Sequence, residues 1–168
     1  MTGAPGDELV DIVDDDDRVV ATVTRARMRA EGLLHRAVSI AVFGSDGRLL
    51  VHRRAETKDL WPGMWDIAAG GVVGAGESYL HAARREVAEE LGIEPTDLEL
   101  LGKARYADES VQLVGCGYRC VHDGPFTFTD GEIAEVRWVD RAGLEVLMAA
   151  EHFVPDSQRL LLPLLHLH

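Results

Sequence analysis

Three glutamates, Glu86, Glu89 and Glu90, stand at i, i+3 and i+4 in a chain of 168 residues. That spacing sets their carboxylates on one flank of a helix. Like charges so placed repel and weaken the helix, and acidic side chains late in a helix oppose its macrodipole, which favours cations there. A hard divalent cation, Mg²⁺ or Mn²⁺, seated among the oxygens would remove that cost. The plainer reading is the wet face of an amphipathic helix, so the flanking residues have to decide between the two.

Those residues carry a longer pattern. Gly71 is followed after five residues by Glu77, and after seven more by Arg85-Glu86-Val87-Ala88-Glu89-Glu90-Leu91-Gly92-Ile93. This resembles the Nudix box, Gly-x5-Glu-x7-Arg-Glu-U-x-Glu-Glu-x-Gly-U with U aliphatic, and every specified position matches. The resemblance implies a loop–helix–loop that holds divalent ions against a diphosphate. By that analogy Glu86 and Glu90 are metal ligands, Glu89 is a ligand or the general base, and a backbone carbonyl near Gly70 completes the shell. Arg85 orients a carboxylate and Glu77 is structural. The implied reaction is attack of water on a phosphorus of a nucleoside diphosphate linked to a further group. The metal acidifies the water and stabilises the developing charge, and a Glu accepts the proton.

The resemblance extends outward from the box. Leu49-Leu50-Val51-His52-Arg53-Arg54, Lys58 and Trp61-Pro62-Gly63-Met64-Trp65-Asp66 look like the strand and loop that precede it in many Nudix proteins. Arg53, Arg54 and Lys58 are the nearest cations to the acidic row and are candidates to pair with substrate phosphates. An arginine would do so by its bidentate fork, and Arg54 is slightly ahead. The alternative is a solvated strand end. Trp61 and Trp65 could stack a base, but read more readily as core. Glu109, Glu132 and Glu135 are candidates for the distal ligand or base that some Nudix enzymes place outside the box.

Leu34-His35-Arg36-Ala37-Val38-Ser39-Ile40, together with the segment before it, resembles the isopentenyl-diphosphate isomerase side of the superfamily, where such a His binds metal. Here Gly70 stands where the isomerase has its catalytic Cys and Val72 where it has a second His. Val111-Gln112-Leu113 lacks the opposing acids. His35 is therefore expected to pack or hydrogen-bond. Hydrolysis is the leading reading, with isomerisation of isopentenyl diphosphate and a non-catalytic diphosphate-binding module as rivals.

These side chains need elements to hold them. Residues 9–13 and 18–24 read as a hairpin with the acidic run Asp14–Asp17 as a solvated tip. A short helix over 25–33 ends at Gly32. Two strands, joined at Ser45-Asp46-Gly47, precede the box. Its helix, residues 77–91, carries an apolar stripe of Leu80, Ala83, Val87 and Leu91. Strand-like runs follow after Gly92, with Phe126-Thr127-Phe128 as a doubtful one, then helical segments near 141–150 and 156–165. The fold class is α/β or α+β, an α/β/α sandwich around a mixed sheet. Residues 1–34 add a hairpin and helix to the domain formed by 35–168.

Composition narrows the partners. The chain has 29 Asp+Glu against 17 Lys+Arg, a formal charge of −12, which repels a nucleic-acid polymer but admits a small phosphorylated substrate beside a bound cation. No apolar run approaches the roughly 18 residues of a membrane span and the start lacks a signal pattern, so a cytoplasmic location without membrane contact is expected, with a homodimer left open. Cys116 and Cys120, four apart, would lie about 13 Å from each other on one strand, too far to bridge.

Overall fold

Residues Ala37 to Phe43 alternate between two apolar faces, and the domain is built around that alternation. The computed structural model describes residues 3–168. In chain order its elements are β1 (Leu9–Val13), β2 (Val19–Thr24), α1 (Arg25–Glu31), β3 (His35–Phe43), β4 (Leu49–Arg54), β5 (Trp65–Asp66), β6 (Ala69–Val72), α2 (Tyr79–Leu91), β7 (Glu99–Ala107), β8 (Gln112–Val121), β9 (Ile133–Val139), α3 (Arg141–Ala150) and α4 (Pro155–Leu160). β3 is the spine. It runs parallel to β8 from His35↔Leu113 to Phe43↔Val121 and antiparallel to β6. The remaining pairings are antiparallel, so the sheet is mixed.

Val38, Ile40 and Val42 face Ala82, Ala83, Val87 and Leu91 of α2. Ala41 and Phe43, on the other face of β3, share a core with Leu144 and Leu147 of α3 and with Leu161. A period of two along the strand thus feeds two helical layers, giving the α/β/α sandwich expected. Gly92 ends α2 in the left-handed region, φ 65°, and Gly32 ends α1 in the same way. Cys116 and Cys120 are free and buried on β8. Among the described residues, no helix is long and apolar enough to cross a membrane.

Three expectations need correction. Leu80 lies outside the buried stripe at 43% exposure, because α2 turns Glu86 and Glu90 inward along with Ala83, Val87 and Leu91. Phe126-Thr127-Phe128 is not a strand: Thr127 N–H donates to the Leu91 carbonyl and Phe126 joins the core beneath. The hairpin tip is only partly solvated. Asp15 and Asp16 are exposed, but Asp17 accepts from Arg36 Nε at 2.7 Å, Lys103 Nζ at 2.8 Å and Tyr79 Oη at 2.9 Å.

The N-terminal hairpin also positions the box. Asp11 accepts from Thr22 Oγ1 and from Gly76 N–H, each at 2.8 Å, and Ala75 N–H donates to the Leu9 carbonyl. The turn that feeds α2 is therefore pinned by β1. At the other end of the molecule Leu160, Leu161 and Leu164 lie against β7 and β8 where Gly115, Gly117 and Gly102 carry no side chains.

Candidate functional site

α2 begins with Ser78 as its cap, the Oγ accepting from His81 N–H, and its last two turns bring Arg85, Glu86, Glu89 and Glu90 against β6. Arg85 is the organiser. Its Nε and Nη2 hold both oxygens of Glu77, at 2.8 and 3.0 Å. Nη1 reaches Glu86 Oε1 at 2.8 Å and Glu89 Oε2 at 3.2 Å, and Nη2 also donates to the Val72 carbonyl. A guanidinium so engaged fixes carboxylates. Glu77 in turn accepts from Gly74 N–H at 2.8 Å. Partial burial pushes its carboxyl up, but Arg85, Gly74 and His81 outweigh that and hold it at about 2.

Glu86 and Glu90 are buried, at 8% and 4% exposure. A β-carbon on Gly71 would overlap the Glu86 carboxylate, and one on Gly70 would overlap the Val38 carbonyl, so Gly71 makes the room in which Glu86 sits and Gly70 lets β6 approach β3. Burial first, then Glu89 and Glu132, push Glu86 up to about 7 against the pull of Arg85. Glu90 is raised well above the usual carboxylate range by burial and by Glu86, and Gly70 N–H approaches it only at 3.4 Å. Two buried, under-paired hard-oxygen donors are the chemistry a divalent cation takes, so this pair fits such an ion. Glu89 stands apart, half exposed and bonded to Arg85. Among the described residues no three His, Cys, Asp or Glu side chains converge as a preformed ligand set.

Glu86 and Glu89 open onto a cavity of about 620 Å³ that also touches Gly70, Gly71, Lys58 and Glu132. A second, smaller cavity of about 80 Å³ lies on the other side of Gly70 and Gly71, and its walls include Arg25, Arg29, His35 and Arg54. Lys58 borders both cavities and its Nζ donates to Glu132 Oε2 at 2.6 Å. Arg54 donates to the Leu60 carbonyl and stands 3.9 Å from Asp66.

Not every sequence candidate is brought to these cavities. Arg53 projects from the opposite face of β4 to Arg54 and meets Glu135 at 3.6 Å and Glu56 at 4.0 Å. Glu135 is tied to Arg137 and Glu109 is exposed in the β7–β8 turn. Glu132 alone of the three distal acids reaches the acidic cavity. Trp65 is core at 2% exposure, whereas Trp61, half-buried with φ 48°, forms part of the small cavity's wall. His35 is buried, with Nδ1 2.9 Å from the Leu33 carbonyl. Arg25 and Arg29 belong to the site's surroundings and were missed in the sequence, since α1 lies some thirty residues before the segments it meets.

Comparison with known proteins places the chain in a family. Residues 33–161 match the model of the NUDIX domain. The chain is 42% identical over 154 residues to YfcD of Escherichia coli K12, described as an uncharacterized Nudix hydrolase, covering 92% of this chain and 84% of that one. The crystal structure of DR0079 from Deinococcus radiodurans superposes with a TM-score of 0.77 at 29% identity, over 95% of this chain and 100% of that one. The NUDIX domain of Shewanella oneidensis NrtR, crystallised with ADP ribose, has the same fold at a TM-score of 0.60 and 19% identity, over 82% of this chain and 94% of that one.

Proposed function

This chain belongs to the Nudix family, and from that premise we propose that it is a pyrophosphohydrolase that uses Mg²⁺ or Mn²⁺ to cleave a diphosphate linkage in a small phosphorylated substrate. The observation that carries the reading is the pair Glu86 and Glu90, buried hard-oxygen donors, Glu86 filling the space where Gly71 has no side chain.

Glu86 and Glu90 would hold the ion, with the backbone at Gly70 beside them. When bound, the ion offsets charge on the diphosphate and lowers the pKa of water. Glu89 is exposed enough to meet a water and acts as the base that takes its proton. Arg85 Nη1 bonds Glu86 and Glu89 together, so ligand and base keep one relative position. Lys58 and Arg54, beside Gly70 and Gly71, supply positive charge for the non-bridging oxygens.

Isomerisation is disfavoured by the thiols. Cys116 and Cys120 pack under α2, and burial raises both, Cys120 to about 11, so no thiolate faces either cavity. The deciding experiment is a screen of nucleoside diphosphate derivatives, dinucleotides and prenyl diphosphates, with added metal and with chelator. Metal-dependent release of a phosphorylated product supports the reading. Turnover indifferent to chelation overturns it, and binding without turnover favours the non-catalytic module.

A further inference from the structure

The small cavity has the wrong charge for a cation and the right one for an anion. Its walls carry Arg25 and Arg29 from α1, Arg54 from β4, and Lys58, against Asp59, Asp66 and Asp156, the last pushed up to about 7 by burial and by Asp66. Asp59 is shared by Arg29 Nε at 3.3 Å and Arg25 Nη2 at 3.7 Å, so one carboxylate answers two guanidiniums. Asp66, near Arg54, spends one oxygen on Ser157 Oγ at 2.6 Å. Arg29 Nη1 is buried without a hydrogen-bond partner, the one such side-chain nitrogen or oxygen among the described residues. A buried donor left unpaired is costly, more so when charged, so it asks for an acceptor.

His35 sharpens the argument. The isomerase resemblance makes it a metal ligand, yet burial and the charges of Arg29 and Arg25 hold its imidazole down at about 4. Guanidiniums that oppose a proton there oppose a divalent ion more strongly. At about 80 Å³ the space holds several waters and has room for a phosphate group. Gly70, Gly71, Arg25 and Lys58 border both this cavity and the acidic one, so a substrate can reach from one into the other. Trp61, held at φ 48° where a bulky side chain is strained, stands on its wall.

We propose that Arg25 and Arg29 form a phosphate-binding subsite for a terminal phosphate on the substrate, beyond the linkage that is cleaved. The part concerning substrate rests on the hydrolase reading; the anion site itself does not.

The test uses inorganic phosphate first, by calorimetry on the full chain without metal. The wild type should bind it, and Arg29→Gln should weaken binding by about tenfold or more, the loss of one charge-assisted contact. Arg25→Gln serves as the second variant should Arg29→Gln prove unstable by circular dichroism. Equal affinity in wild type and both variants, or no binding by the wild type, overturns the subsite. The second arm compares two diphosphate substrates that differ only by a terminal phosphate. The wild type should show a KM about tenfold lower for the phosphorylated one, and Arg29→Gln should remove that ratio; an unchanged ratio in the variant overturns the assignment. If the wild type hydrolyses neither substrate with Mg²⁺, the hydrolase reading fails while the calorimetry still decides the subsite.

Discussion

The two sides of Gly70–Gly71 make their polarity in different ways. On the acidic side, Arg85, Glu86, Glu89 and Glu90 come from two turns of one helix, and Arg85 satisfies most of what it touches. On the basic side, α1, β4 and the loop after it, and α4 each contribute to the wall, and one guanidinium nitrogen is left without a partner. A cluster made within one helix is written in residue spacing. A cluster made by convergence is written only in the tertiary packing, and its unmet hydrogen bond is what reveals it.

The contrast can be tested by where each substitution is felt, in rate, in stability or in substrate binding. The largest effect belongs to the acidic side. Glu89→Gln is expected to lower kcat with Mg²⁺ by about 10²–10⁴-fold, the usual range for a lost base, and Glu90→Gln, which removes a ligand, to lower it as well, while circular dichroism stays unchanged. Wild-type rates in both would move the reaction away from α2.

Next is Glu77, which anchors Arg85. Its carboxyl lies at about 2, against an ordinary value of 4.5. A depressed carboxylate adds stability that is complete above the unfolded pKa and lost as pH falls through the folded one. Glu77→Gln should therefore cost on the order of 3 kcal/mol in urea unfolding at pH 6, with the gap to wild type narrowing below about pH 4. A gap that widens in acid would contradict the Arg85–Glu77 pairing.

Lys58 sits on the boundary and should behave like the basic side. Lys58→Ala is expected to raise KM by about tenfold, near 1.4 kcal/mol, with a smaller change in kcat. A loss confined to kcat would assign Lys58 to the acidic side instead. The smallest effect is at Leu80. Because it faces solvent, Leu80→Ala should shift stability by no more than about 0.5 kcal/mol, whereas a core position would lose several times that.

These differences also explain what could be read in the sequence. The strands, the α2 helix and its stop at Gly92 follow from local periodicity and from a glycine in the left-handed region. The register of α2 did not follow from apolar residues alone. Counting Leu80 as core ignored that Glu86 and Glu90 are themselves buried, and an apolar stripe cannot show a buried acid. The sequence puts Arg54 only slightly ahead of Arg53, whereas in the sheet Arg53 turns to Glu135 and Glu56 and Arg54 to the cavity, a choice made by the pairing of β4 with β9 and β5. Asp17 seemed one of four solvated acids until Arg36, Lys103 and Tyr79 arrived from distant segments.

The bare backbone patches of β8 have a reach beyond their own layer. Leu160 and Leu161 lie where a β-carbon on Gly115 or Gly117 would crowd them, at 2.8 Å in each case. The same short helix brings Asp156 and Ser157 to the small cavity. An alanine at either glycine would push the leucine tip behind it and press on the segment that forms the cavity's far wall, while the carboxylate row of α2 packs against the other face of the sheet. Chains that share this carboxylate row can therefore differ in the wall of the small cavity through methyl groups buried on the opposite side of the sheet.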